Sequence, residues 1–202
     1  FNLKKMSVSG ALFDLDKLRD VSKNVISQMD GETVTGRILE WAKEYDPDFH
    51  ALLARDPAYT KALFSIDRDC PKPRKDIAKW DEAKAYAAYF FDELFVPCCE
   101  LPENLQPADA AAVLPVYDPA DERDAWFQKI KDVCPAVGFA SEVKEYKKNP
   151  DAYKGHAGDA STAVRIAVTG RRNTPDLCSI MRLLGKERCL KRLEAALAVW
   201  QA

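Results

Sequence analysis

Apolar side chains recur at intervals of three or four residues along this sequence, and prolines separate the segments that carry them. Near the C-terminal end, Leu190, Leu193 and Leu197 follow this spacing. Such an interval places the side chains on one face of an α-helix. Cys70-Pro71-Lys72-Pro73 interrupts the pattern, because proline disfavours helix at the residue before it. The sequence therefore predicts an all-α protein.

The predicted helices form two packed lobes, one at 32–98 and one at 99–202, after a leading segment at 1–31. A linker at 97–107 contains the boundary between the lobes. Val164–Gly170 is the one stretch with the composition of a strand. The spacing predicts helices over 15–29, 33–45 and 58–66, one from Trp80 to Leu94, one from Asp118-Pro119 to Val133, and one through Leu190 to Trp200.

Composition excludes several classes of protein. Of 202 residues, 47% are hydrophobic and 31% are charged, a balance typical of a soluble chain with a core. We find neither a membrane-spanning run nor a secretion signal, and we expect a cytoplasmic location. The six cysteines lack CxxC spacing and only two histidines are present, so no metal site is predicted. At least four cysteines are expected to be small buried hydrophobes.

Positive charge is concentrated near the C-terminal end, although the net charge is only −2. The stretch from Arg165 to Arg192 contains eight basic residues and two acidic ones. Such asymmetry suits a surface that contacts phosphate. A solvated helix surface is the alternative, and charge alone favours it.

A helix start follows directly after two arginines. Thr174 is predicted to cap this helix, Pro175 to occupy its first position, and Gly185 to end it. Free backbone amides beside Arg171 and Arg172 could hold a phosphate or a base edge. Taken alone, the pattern is better explained as an ordinary capped helix.

Two sequence elements resemble a known family. Phe13-Asp14-Leu15-Asp16-Lys17-Leu18 is similar to an element that follows the catalytic half of bacterial-type glutamyl-tRNA synthetases. Val164–Leu193, which contains Ala-Val-Thr-Gly and Leu-Leu-Gly-Lys-Glu, resembles the closing signature of the same class I synthetases. The resemblance implies an anticodon-binding region of two helical lobes after the end of a stem-contact segment at 1–31. It also implies that Val164–Gly170 is helical.

The resemblance places the aminoacylation chemistry in an upstream domain, with ATP and magnesium. Lys5-Met6-Ser7 begins like one catalytic motif, but Val8-Ser9 replaces its basic end. We therefore predict no catalytic residue and no cofactor in this chain. The implied partner is tRNA(Glu), bound by a monomer, and tRNA(Gln) stays open as a second partner.

Site residues carry over position by position. Arg74 matches an arginine that reads the last anticodon base; the alternative is an exposed arginine beside a proline turn. Arg165, Thr174 and Leu177 match positions lining the anticodon pocket. Their alternatives are a buried ion pair, a helix cap and core packing. Charge, rather than the resemblance, adds three weaker phosphate contacts: Lys72, Arg171 and Arg172.

Some positions depart from the family pattern. Asp20 and Ser22 stand where relatives often have Trp and Asn, and Val137 stands where an arginine can contribute to anticodon binding. The segment at 147–158 is longer than expected. A helical protein-interaction domain that no longer binds RNA is therefore kept as the alternative function, supported by the low net charge.

Overall fold

A computed structural model of the chain describes residue 5 and residues 13–98 and 100–201. These residues form α-helices joined by short 3-10 turns, with an isolated β-bridge between Ala140 and His156. The all-α prediction is confirmed. The Met6–Ser9 part of the rejected catalytic motif and Cys99 lie outside the described residues. Within the described ranges, no helix is both long and apolar enough to cross a membrane.

The helices are numbered in chain order. They are α1 (Leu15–Ser27), α2 (Gly31–Tyr45), α3 (Pro47–Ala54), α4 (Pro57–Ser65), α5 (Glu82–Ala87), α6 (Pro107–Val113), α7 (Arg123–Val133), α8 (Val143–Lys148), α9 (Ala157–Thr169), α10 (Leu177–Leu184) and α11 (Lys186–Trp200).

Aspartates begin the first four helices. Asp14, Asp30, Asp46 and Asp56 each accept a hydrogen bond from a backbone N–H in the first turn of the helix that follows. A carboxylate at this position pairs an N–H that has no partner inside the helix, and it suits the positive end of the helix dipole. Proline follows the last two aspartates, where its fixed φ fits the first helical turn.

The helices pack in two groups. α2, α3 and α4 contact one another around Val34, Ile38 and Leu63, all fully buried. α6, α7, α9, α10 and α11 form the second group, with α9 at its centre. Small side chains such as Ala163 and Ala167 let neighbouring helices approach α9 closely. α4 also contacts α10, so the two groups meet. The lobe boundaries at 31/32 and 98/99 stay predictions.

Helix placement was predicted well in some segments and wrongly in others. α1, α2, α4 and α11 confirm the predicted segments, and α9 confirms that Val164–Gly170 belongs to a helix up to Thr169. A single helix from Trp80 to Leu94 is wrong. α5 passes into a 3-10 turn at Ala88–Phe90, and Phe91 then adopts extended backbone with φ −121°. A helix start at Asp118-Pro119 is also wrong, since α7 begins at Arg123.

The start of α10 differs from its prediction too. Asp176, and not Thr174, is the cap, because its carboxylate accepts hydrogen bonds from the backbone N–H and hydroxyl of Ser179. Pro175 therefore precedes the helix. Gly185 ends it with φ 79°, as predicted.

The cysteines only partly match their prediction. Three of the five described ones are buried, whereas Cys70 is exposed and Cys98 is half-buried. At least four buried cysteines were expected, and the described residues provide three. The described cysteines are all free thiols.

Candidate nucleic-acid interface

A cleft of about 300 Å³ opens between α1, α5 and the segment that precedes α10. We call it the arginine cleft. Its walls come from Arg74 and Asp76, from α5 and the turn after it, and from the segment 171–175; Arg19 and Lys23 of α1 also line it. Three predicted site residues, Arg74, Arg171 and Thr174, therefore lie around one cavity, although Arg74 is about a hundred residues from the other two in sequence.

Arg74 presents one edge of its guanidinium to the cleft. Its Nε and Nη2 donate to the two carboxylate oxygens of Asp76 at 2.7 and 2.8 Å, and Nη2 also lies 3.3 Å from the side-chain oxygen of Asn173. Asp76 raises the pKa of Arg74, so the group stays charged. Nη1 donates to no described residue. Two N–H groups thus remain for a ligand, held in direction by the Asp76 pair.

Arg171 lies across the cleft wall. One Nη2 N–H donates to the carbonyl oxygen of Ala85, and the guanidinium carbon is 5.4 Å from the centre of the Tyr89 ring. A guanidinium over an aromatic face is held by cation–π attraction. Arg171 is therefore part of the wall, and its phosphate contact stays a prediction.

Asp67 joins the two sides of the cleft. Its carboxylate accepts a hydrogen bond of 2.9 Å from the backbone N–H of Asp176, and its carbonyl oxygen accepts one of 3.4 Å from the backbone N–H of Arg74. Asp67 has φ 56°, a conformation that aspartate tolerates better than most residues. The Arg74 loop and the start of α10 are thereby fixed against each other.

Arg165 supports the segment before α10. Its Nη1 donates to the hydroxyl of Thr174, to the Pro175 carbonyl oxygen at 2.8 Å and to the Thr174 carbonyl oxygen at 3.3 Å. Burial lowers the pKa of Arg165. Its Nε and Nη2 make no hydrogen bond within the described part of the chain. Arg165 thus holds Thr174 in place, and its Nε and Nη2 groups can donate to a ligand in a second cavity.

That second cavity, of about 250 Å³, lies between α7, α9 and α10. Arg165 and Leu177 line it together with Trp126, Phe127 and Arg123. The five side chains combine an aromatic surface with two guanidinium groups, which suits an unstacked base. The predicted pocket residues are therefore divided between two neighbouring cavities, and the Arg165–Thr174 contact forms the partition.

Lys72 and Arg172 lie outside both cavities. Each is exposed, and neither makes a side-chain hydrogen bond to a described residue. Arg172 follows the cleft residue Arg171 directly. An exposed cation at the rim of the arginine cleft is free to contact a phosphate.

Known proteins match the residues on both walls of the arginine cleft. Residues 140–197 match the family model described as anticodon binding domain. The chain is 46% identical over 205 residues to a glutamate–tRNA ligase of Clostridium perfringens, and 43% identical over 201 residues to that of Acetivibrio thermocellus. Each alignment covers 98% of this chain and 37% of the relative.

This chain corresponds to the C-terminal part of the glutamate–tRNA ligases. It spans little more than a third of the length of these relatives. A crystal structure of a glutamate tRNA ligase from Elizabethkingia meningosepticum has the same fold over 98% of the chain, with a TM-score of 0.59 at 15% identity. That structure is matched over 35% of its own length.

The two kinds of match cover different walls of the arginine cleft. The match to the anticodon binding domain includes Arg165, Arg171, Thr174 and Leu177 but does not reach Arg74. Only the alignments with whole glutamate–tRNA ligases reach the Arg74 side. The cavity thus forms between the residues that match the anticodon binding domain and the segments that precede them.

The basic stretch of this ligase segment does not form one continuous face. Arg192 is buried and donates to the carbonyl oxygens of Tyr89 and Val168 and to Asp92. Arg188 also pairs with Asp92, and Arg182 donates to the Asp121 carbonyl oxygen. Arg192 is therefore not on a solvated helix surface, which is the explanation that charge alone favoured, and all three arginines stabilise the fold.

Sequence reasoning missed other residues that line the arginine cleft. Tyr86, Tyr89 and Asn173 were not singled out as site residues. Arg19 and Lys23 were missed although they stand four residues apart on α1, a spacing that places both on one helix face. That spacing was the available signal.

Proposed function

We propose that this chain binds the anticodon loop of tRNA(Glu) and holds it for glutamylation by the parent ligase. ATP and magnesium, on this proposal, belong to the ligation step and to a part of the ligase other than this chain. The chain would act in the cytoplasm as a monomer. Binding of tRNA(Gln) as well is a further possible outcome of the test below.

The arginine cleft is the observation that carries the proposal. Single-stranded RNA is recognised when unstacked bases meet planar guanidinium or aromatic groups and hydrogen-bond at their edges. Arg74 offers a two-donor edge, and Arg171 and Tyr89 offer a stacked wall. The cleft contains four cations, Arg19, Lys23, Arg74 and Arg171, against two carboxylates. This local excess of positive charge is what the net charge of −2 conceals.

The test is binding of a fluorescent anticodon stem-loop of tRNA(Glu), measured by anisotropy for the wild-type chain and for Arg74→Ala. Losing a direct base contact should cost about 1–3 kcal/mol, or roughly 5- to 150-fold in Kd. The loss should be largest for the loop with the original last anticodon base, and smaller when that base is replaced. This pattern is expected because only the matching base uses the Nη1 edge.

Arg37→Ala is the matched control. Arg37 is an arginine on α2 that pairs with Glu40 on the same helix, away from both cavities. Its removal should leave Kd within twofold. Equal weakening by the two substitutions would mean that the loop responds only to overall charge. No RNA retained by the wild-type chain at modest salt would refute the proposed function.

A protein-interaction role has one observation in its favour. α1 exposes an apolar stripe of Leu15, Leu18, Val21 and Val25, with Phe13 preceding it. Such a stripe is typical of a surface that another protein covers. The same assay separates the two functions, since a chain that serves only protein contact should not discriminate between stem-loops.

A further inference from the structure

The hydroxyl of Tyr89 is a polar group without a protein partner beside the arginine cleft. The residue is 2% exposed, and its hydroxyl makes no hydrogen bond to any described residue. A buried hydroxyl that lacks a partner costs about 1–3 kcal/mol compared with one that is paired. At the wall of a cavity, a bound ligand can supply the missing partner.

Tyr89 lines the arginine cleft, and its hydroxyl is itself buried. The charged side chains that act on it are Arg171, Asp76 and Arg74, all of them in the cleft wall. The ring is packed on its other sides, with the Phe90 ring centre 4.5 Å away. Arg192 holds the Tyr89 carbonyl oxygen from inside the core, so the backbone is fixed as well.

Burial also fixes the protonation state of the hydroxyl. It raises the pKa of Tyr89 far above its ordinary value, so the group is a neutral phenol at any physiological pH. A neutral phenol can donate one hydrogen bond and accept another. It can therefore bind either a carbonyl oxygen or an amino group on a base edge, whereas Arg74 can only donate.

We infer that Tyr89 is a specificity-determining residue of the arginine cleft, and that its hydroxyl hydrogen-bonds the edge of an unstacked RNA base held between Arg74 and Arg171. The inference rests on the proposed function and adds a residue to it. Arg171 covers the Tyr89 ring through one hydrogen bond to Ala85 and one cation–π contact. A base edge reaches the hydroxyl when this guanidinium moves off the ring.

Tyr89→Phe tests the inference, because it removes one oxygen and leaves the ring. Kd for the tRNA(Glu) anticodon stem-loop should rise about five- to tenfold, the usual net effect of one hydrogen bond. The rise should disappear for a loop in which one anticodon position is abasic, and that position identifies the base. The melting temperature of the free protein should stay equal or increase, since the hydroxyl has no partner to lose.

Tyr117→Phe is the matched control. Tyr117 is 1% exposed and also has a hydroxyl without a partner among the described residues, but it lies outside both cavities. Its removal should change neither Kd nor base preference.

The outcomes separate the two claims. Wild-type binding with an unchanged Kd for Tyr89→Phe on every loop overturns the inference and leaves the proposed function standing. A uniform loss on all loops together with a lower melting temperature assigns Tyr89 a purely structural role, which also overturns it. Absence of binding by the wild-type chain refutes both.

Discussion

Replacing Arg165 by methionine should destabilise the chain through the acceptors that its guanidinium pairs. Nη1 of Arg165 donates to the hydroxyl and the carbonyl oxygen of Thr174 and to the carbonyl oxygen of Pro175, and both residues are buried. Without Arg165 the Thr174 carbonyl oxygen is unpaired, which costs about 1–3 kcal/mol. The Pro175 carbonyl oxygen keeps the Thr174 hydroxyl at 3.0 Å, so only a hydrogen bond worth about 1 kcal/mol is lost there. Methionine fills most of the volume but donates nothing, so we expect the free energy of unfolding to fall by about 3 kcal/mol.

This loss translates into a measurable shift in Tm. The unfolding entropy is about 2.1 cal/mol/K per residue, and the chain has 202 residues. A loss of about 3 kcal/mol should therefore lower Tm by about 7 °C in a calorimetric scan. Arg172→Met is the control, because Arg172 is exposed and should shift Tm by only about 1 °C. A drop below about 2 °C for Arg165→Met, or an equal drop for both, would refute the bracing role of Arg165.

Two further stability predictions follow from the backbone and from pH. Gly170→Ala should cost clearly more than Gly138→Ala in urea unfolding: both are left-handed, but an added Cβ would lie 2.5 Å from the Val96 carbonyl oxygen at Gly170 and no nearer than 3.5 Å to its neighbours at Gly138. The expected cost at Gly138 is about 1–2 kcal/mol, and equal costs would contradict the contact. Asp46→Asn keeps a capping oxygen but loses the ion pair with Lys84, so it should cost about 0.5–1 kcal/mol at pH 7. The Lys84 hydrogen bond lowers the folded-state pKa of Asp46, so the stabilisation by this ion pair is lost as pH falls. The difference in stability between wild type and variant should therefore close below pH 3.8. A difference that persists at lower pH would show that the ion pair is not responsible.

Local sequence signals were sufficient to place a helix where no tertiary contact competed with them. α2 and α11 follow from apolar spacing, and Gly185 follows from the need for a left-handed residue at a helix end. α3 was missed although Asp46-Pro47 repeats the start signal of α4 at Asp56-Pro57. A helix of eight residues shows too little periodicity to stand out.

Tertiary contacts decided where local signals competed. The spacing from Trp80 to Leu94 fits one helix, yet the chain turns at Phe90, where the carbonyl oxygen accepts a hydrogen bond from the Tyr59 hydroxyl. At α10, Asp176 and Thr174 could both cap the helix. Thr174 instead bonds to Arg165, and Asp176 takes the cap. Neither outcome can be predicted from local sequence, because both depend on partners elsewhere in the chain.

The candidate site was predictable in its residues but not in its arrangement. Arg74, Arg165 and Thr174 came from family resemblance, whereas the charge count placed Arg192 in the same basic stretch as Arg165. Arg192 is buried because it pairs backbone carbonyl oxygens that the 3-10 turn and the end of α9 leave open. The number of arginines in a stretch does not show which of them are buried in the core.

The most direct measurement of the central claim is photo-crosslinking of anticodon stem-loops that carry 4-thiouridine at one anticodon position at a time. If the arginine cleft holds an unstacked base, one position should crosslink to peptides containing residues 74–89 or 171–175, and Arg74→Ala should reduce that adduct. Crosslinks confined to the α1 stripe or to the face around Arg55 and Arg188 would contradict the account.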